Sequence, residues 1–212
     1  MPKLFTGPDG APRCSWSGAA PEFLDYHDRE WGFPVLDDAR LFEKLCLETF
    51  QSGLSWRTIL AKRQNFRAGF ADFDYAKIAE FGDADHARLM ADSGIVRNRA
   101  KIYATINNAG RMIELVRAEG SLAAFVWSFE PTREELAEPQ SASTSATSVA
   151  ISKELKKRGW KFLGPTTTFA FMQAMGLIND HARGCIVRTS VEQARAEFER
   201  PGRPARSLSP PA

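Results

Sequence analysis

A chain of 212 residues, 43% of them hydrophobic, is long enough to bury a full core as one compact domain or two closely packed lobes. Its formal net charge of +2 is too small to announce a nucleic-acid partner, so any such binding must rest on local clusters such as Arg97–Lys101 and Lys153–Arg158. No apolar run could act as a signal or span a membrane, and three cysteines without an even-numbered framework point to a reducing compartment, the cytoplasm.

In chain order the pattern is helical almost throughout, and no alternating strand pattern competes with it. Asp37 or Asp38 can cap a helix to about residue 51, with Leu41, Phe42, Leu45, Cys46 and Phe50 on one broad apolar arc. Gly53 breaks it. Ser55 can then cap a helix carrying Trp56, Ile59, Leu60 and Phe66. Short helices are expected from Asp74 and from Asp83 to Ser93. After a tight Gly94–Ile95–Val96 turn, Ile102, Ile106, Ile113 and Val116 recur at helical spacing as far as Gly120, and a short helix with Phe125 and Trp127 follows Ser121. Residues 130–147 are rich in Ser, Thr and Glu and read as a linker or surface loop. Helical pattern resumes from Val149 to Gly159, and a last core helix is expected from Thr167 to Met175. The Pro- and Arg-rich end, PGRPARSLSPPA, reads as disordered.

Three groups of residues carry candidate chemistry. Cys14, His27, His181 and Cys185 form a set that could fill a tetrahedral zinc shell and clip the N-terminal segment to the C-terminal one. The H-x3-C spacing of the last pair suits one face of a helical turn. The competing reading is unrelated core thiols and polar histidines. The segment Ala87–Ile106 reads as a helix, a glycine turn and a basic second helix, a helix-hairpin-helix whose backbone N–H groups can hold a DNA phosphate, although an ordinary helix corner has the same pattern. Finally, Trp16, Tyr26, Trp31 and Trp56 accompany the carboxylate of Glu48, at the edge of the apolar arc. Aromatic faces beside an anionic group suit a flat, cationic heterocycle. A solvated pair with Lys44, four residues earlier, fits the spacing equally well.

The strings RCSW, YHDREWG, LFEKLCLETFQSGLSW, SGIVRNRAKI, FVWSF, SKELKKRG and FMQAMGLINDH, in that order, resemble the bacterial 3-methyladenine DNA glycosylase I family over about residues 12–187. The resemblance implies an all-α helix-hairpin-helix glycosylase fold, with one structural zinc on Cys14, His27, His181 and Cys185 tying the terminal segments together. It implies a monomeric enzyme that flips N3-methyladenine out of alkylated double-stranded DNA and hydrolyses its glycosidic bond, without lyase chemistry, because Asn98 stands where lyases carry lysine. Glu48 and Tyr26 would hydrogen-bond the base and Trp16 and Trp56 would sandwich it, with Phe23 beside them where relatives often have tyrosine. Thr49 and Ser52 replace the more usual glycine and alanine. DNA contacts fall to Gly94, Ile95, Val96, Arg97, Arg99 and Lys101, and Leu54, exposed at a turn, is the candidate wedge for the gap left by the flipped base. Residues 188–212 would be a partly disordered tail.

The alternative function is a non-catalytic, zinc-stabilised DNA-binding module. It would pack Trp16 and Trp56 fully and leave Glu48 in solvent. An enzyme would show an open aromatic cleft faced by Glu48, with the Gly94 turn on the same side.

Overall fold

Residues 4–202 are described in a computed structural model. The helical frame is organised about α2 (Asp38–Gln51), whose start shows why two adjacent aspartates precede it. Asp37 caps α2 itself, its carboxylate accepting from the Arg40 N–H at 2.7 Å. Asp38 caps a different helix: its two oxygens accept from the Leu122 and Ala123 amides at 3.0 and 2.9 Å, at the start of α8 (Leu122–Trp127). Leu41, Phe42, Leu45, Cys46 and Phe50 are all buried as the arc requires. Around α2 lie α7 (Arg99–Glu119), α8 and α10 (Pro165–Ala174), which packs in turn on α9 (Ala146–Lys157).

On α7 the buried face is centred on Ile102, Ala109, Met112 and Leu115, and the expected Ile106, Ile113 and Val116 flank it half-buried. The helix after Ser55 is two pieces, α3 (Trp56–Ala61) and α4 (Arg63–Gly69), because Lys62 leaves helical geometry at φ −98°, ψ 0°. Phe66 therefore points from α4, where it meets Phe50 with ring centroids 4.6 Å apart. α5 (Tyr75–Ile78) follows Asp74, and α6 (Asp83–Ala91) stops two residues short of Ser93 because Asp92 turns extended and accepts from the Gly94 N–H at 2.7 Å.

Other departures have equally local causes. Leu4–Thr6 (β1) and Pro12–Cys14 (β2) pair as an antiparallel hairpin with Leu4 opposite Cys14, each strand being too short to show an alternation in sequence. α1 (Glu22–Arg29) is a further helix whose buried residues, Phe23, Tyr26 and His27, are the ones already singled out for chemistry. Residues 130–144 are irregular apart from a 3-10 turn at Arg133–Glu135, and α9 begins at Ala146, earlier than the expected Val149; the loop is pinned, since the Gln140 N–H donates to Asp180 at 2.8 Å and Arg183 pairs with Glu138 at 2.7 Å. The presumed tail is corrected in part. Arg188–Glu197 is a helix, α11, which buries Val191 and ties Arg195 to Glu130 at 2.7 Å. Most of PGRPARSLSPPA, residues 203–212, lies outside the described residues. Among those described, no helix is long and apolar enough to cross a membrane.

Candidate functional site

Three helices converge on Glu48. α1 delivers Tyr26 from its buried face, α2 places Lys44 one turn before Glu48, and Ser55, which accepts from the Thr58 N–H, starts α3 so that Trp56 faces them. Glu48 is 6% exposed, so both sequence readings meet in one arrangement: the carboxylate does pair with Lys44, at 2.7 Å, but inside the protein. The Lys44 ammonium also donates to the Tyr26 hydroxyl at 2.9 Å and lies 3.4 Å from the centroid of the Trp56 ring. Burial pushes the Lys44 pKa down against the opposing pull of Glu48, and burial, then the Glu48 charge, pushes the Tyr26 phenol well up. The Trp56 indole N–H is buried and has no hydrogen-bond partner.

The expected open cleft is closed. The cavity lined by Tyr26, Glu30, Lys44, Leu47, Trp56 and Met175 holds about 30 Å³, room for about one water and not for a purine. Nor do Trp16 and Trp56 form a sandwich. Tyr26 stands between them, with ring centroids 6.2 Å from Trp16 and 5.2 Å from Trp56. Trp16 instead packs its half-buried ring against Phe23, His27 and Trp31. A groove of about 990 Å³ between residues 130–147 and α11 holds none of these groups.

The Gly94 turn lies beside α4, where Asn65 donates to the Gly94 carbonyl at 3.2 Å. Arg97 and Arg99 are exposed, Val96 is half-buried, and the Ile95 side chain belongs to the core. Lys62 donates to the carbonyls of Ser93 and Gly94 at 2.9 and 3.2 Å, while Asn98 caps α7 by accepting from the Lys101 N–H. Lys101 departs from its expected role. Its ammonium is buried and donates to the Phe50 and Ser52 carbonyls at 2.9 and 2.5 Å, where a helix C-terminus leaves carbonyls in need of donors. It thus holds the loop that displays Leu54, which is 44% exposed after Gly53 at φ +79°. Thr49 turns its hydroxyl back to the Leu45 carbonyl at 3.0 Å, away from the site.

Cys14, His27, His181 and Cys185 come together as a fully buried cluster whose ligand atoms all lie within 4.8 Å of one another. The Cys185 sulfur is 3.5 Å from both His27 Nε2 and His181 Nδ1, and the Cys14 sulfur is 3.6 Å from His181 Nδ1. His181 and Cys185 sit in a non-helical turn, not on a helix face, because Gly184 takes φ +86°. The remaining ring nitrogens are committed elsewhere: His27 Nδ1 donates to Asp28 at 2.7 Å and His181 Nε2 to the Trp31 carbonyl at 2.9 Å. Arg13, held also by Asp9, grips Asp28 at 2.8 Å. Such outer partners orient histidine ligands. Hydrogen bonding from Cys14, then from the two histidines, lowers the Cys185 pKa and holds it as thiolate, while the same sulfur contact and burial push Cys14 up. Two soft sulfurs and two imidazole nitrogens fit a tetrahedral divalent ion. Asp28 and Arg13 were not anticipated; the position of Asp28, directly after His27, was the available signal.

Comparison with known proteins gives concordant results. A family model described as methyladenine glycosylase matches residues 16–189. DNA-3-methyladenine glycosylase 1 of Escherichia coli (strain K12) is 45% identical over 177 residues, 82% of this chain and 95% of that protein. DNA-3-methyladenine glycosylase of Haemophilus influenzae (strain ATCC 51907 / DSM 11121 / KW20 / Rd) is 43% identical over 182 residues, 84% of this chain and 98% of its own. Among solved structures, 3-methyladenine DNA glycosylase I of Staphylococcus aureus, studied for its recognition of 3-methyladenine, superposes with a TM-score of 0.78 at 36% identity. It covers 83% of this chain and 96% of that one.

Proposed function

We infer what the site does from one premise: the chain belongs to the methyladenine glycosylase family. It is a DNA repair enzyme that excises 3-methyladenine from alkylated DNA. The finer assignments are our own reading. Methylation at N3 makes adenine cationic and weakens its glycosidic bond, so the enzyme has to select and position more than to protonate. We assign Glu48 as the acceptor of a charge-assisted hydrogen bond from the flipped base, Tyr26 as its hydroxyl partner, and Trp56 as the face on which it stacks. Trp16, with Phe23 on its edge, forms the wall behind Tyr26. Water then attacks C1′ of an oxocarbenium-like sugar, whose charge the buried carboxylate also favours.

Outside the pocket, residues 87–106 act as a helix-hairpin-helix in which the Gly94–Val96 backbone, Arg97 and Arg99 hold phosphate, and Leu54 enters the duplex gap. Lys101 supports that wedge through the Phe50 and Ser52 carbonyls. We assign the cluster of Cys14, His27, His181 and Cys185 to one zinc ion, for which its donor set is suited, in a role that is structural and away from the reacting sugar. The catalytic domain then spans residues 12–187, with α11 packed on its end.

The observation that carries the reading is the burial of Glu48, paired with Lys44, whose ammonium also meets Tyr26 and the Trp56 ring. A binding module would leave the carboxylate in solvent. The test is release of 3-methyladenine from methylated duplex DNA. Glu48→Gln keeps the shape and removes the charge, and should slow release roughly ten- to hundredfold, the worth of a charge-assisted bond. Release at the wild-type rate would return Glu48 to a structural role.

A further inference from the structure

The groups that would receive the base are already engaged. One ammonium, Lys44 Nζ, lies 2.7 Å from Glu48, 2.9 Å from the Tyr26 hydroxyl and 3.4 Å from the Trp56 ring centroid. These are the acceptor, the hydroxyl and the aromatic face assigned above to a cationic adenine. The space left beside them is about 30 Å³.

We propose that Lys44 is a resident cation of the base site, an intramolecular stand-in for the methylated adenine, and that base entry exchanges one cation for the other. This rests on the assignment of Glu48 and Trp56 as the base site. Both steric and electrostatic arguments lead to it. A purine cannot stack on Trp56 while the ammonium covers that ring, and the buried Glu48 carboxylate cannot lose its partner without a replacement of like charge. Exchange meets both conditions. Lysine suits the task because its charge rides on a flexible four-carbon stem and can withdraw without moving the helix. A destination is at hand: Glu30 and Glu43 line the same cavity, beside Arg63 and Arg67, and the Glu30 charge already acts on Lys44. The lowered basicity of Lys44 is consistent with a charge held under desolvation.

The lysine thereby sets a threshold. Any base must displace it to reach Trp56, which lowers the apparent affinity of all of them, and only a cationic base restores neutrality at Glu48 afterwards. The arrangement also keeps a desolvated carboxylate satisfied between turnovers.

Two measurements with 3,9-dimethyladeninium, which keeps a substituent at N9 and with it the fixed positive charge that the released free base loses, test this. In the first, affinity is read by tryptophan fluorescence for wild type, Lys44→Met and Lys44→Arg. Removing the occupant in Lys44→Met should tighten binding about tenfold, the worth of a desolvated cation–π contact together with its hydrogen bond. Lys44→Arg keeps a cation on the ring and should stay within about threefold of wild type. In the second, which needs no variant, wild-type protein is reductively methylated with and without 3,9-dimethyladeninium, and Lys44 labelling should rise when the cationic base expels it into solvent. Unchanged or weaker binding by Lys44→Met, or labelling that does not rise, overturns the proposal; should Lys44→Met fail to fold, the labelling alone decides. Glu48→Gln and Trp56→Ala serve as controls on the premise. If neither weakens binding, the base-site assignment itself fails; if both do while Lys44 stays buried, only the exchange fails.

Discussion

At the scale of single residues, the cysteine–histidine cluster and the Glu48 site share one device, a buried polar atom whose second partner fixes its direction. His27 can present Nε2 to the cysteines because Asp28 holds Nδ1 at 2.7 Å, and Arg13 in turn anchors Asp28. Asp28→Asn removes that charge without removing a ligand. We expect metal affinity to fall about 10- to 100-fold, measured by competition with a chromophoric chelator, while the far-ultraviolet spectrum stays unchanged. That these four residues belong together was legible in the sequence, since they account for two of three cysteines and two of three histidines. Their geometry was not: H-x3-C suggests a helix, and only the left-handed Gly184 turns it into a loop. The Lys44–Glu48 spacing was equally visible, whereas its burial depends on Tyr26 and Trp56 arriving from two other helices. For Lys101, sequence specifies a charge and not the direction of its stem, so phosphate and a helix C-terminus looked alike.

At the scale of elements, Lys101 at the junction between α2 and α7 ties the start of α7 to the loop that displays Leu54. Lys101→Met should leave the Phe50 and Ser52 carbonyls without their donor, at a cost of about 1–3 kcal/mol, and loosen the Leu54 loop. Faster amide exchange at residues 52–55, with a loss of activity on duplex DNA and an unchanged affinity for free 3-methyladenine, is the expected signature; equal losses in both assays would argue for a general folding defect. The end of α1 and α4 are joined by the two-pronged Glu30–Arg63 pair at 2.6 and 2.8 Å. Burial alone would raise the Glu30 pKa, but the Arg63 hydrogen bonds and charge hold it below its ordinary 4.5. A carboxyl with a depressed folded pKa stabilises fully above its unfolded value and loses that contribution as pH falls through the folded one. The stability gap between wild type and Arg63→Met, from denaturant unfolding, should therefore be widest near neutrality and close as the pH drops below about 4.5. α2 was readable because cap, arc and breaker agree. α1 hid its apolar face in a tyrosine, a phenylalanine and a histidine over eight residues, and α11 fully buries only Val191, so a polar ten-residue helix passed for a tail.

At the scale of the whole molecule, the cysteine–histidine cluster joins residues 14 and 27 to residues 181 and 185. Cys185→Ala should lower bound metal and thermal stability together, with the melting temperature falling by roughly 10 °C and matching that of chelator-stripped wild type. A melting point that dropped without any change in metal content would assign the loss to packing alone. The cluster has a further consequence for how the protein comes into being. Cys14 and His181 are 167 residues apart in the chain, so half of the site is synthesised almost at the beginning and half almost at the end. While the ribosome is still at work, Cys14 and His27 are two donors with nothing opposite them, and two donors hold a divalent ion poorly. Closure of so long a loop comes after the intervening helices have drawn its ends together, which makes acquisition of the ion a late event in biogenesis. A chain that terminates before His181 can never reach that event, and metal incorporation would then separate finished molecules from abortive ones.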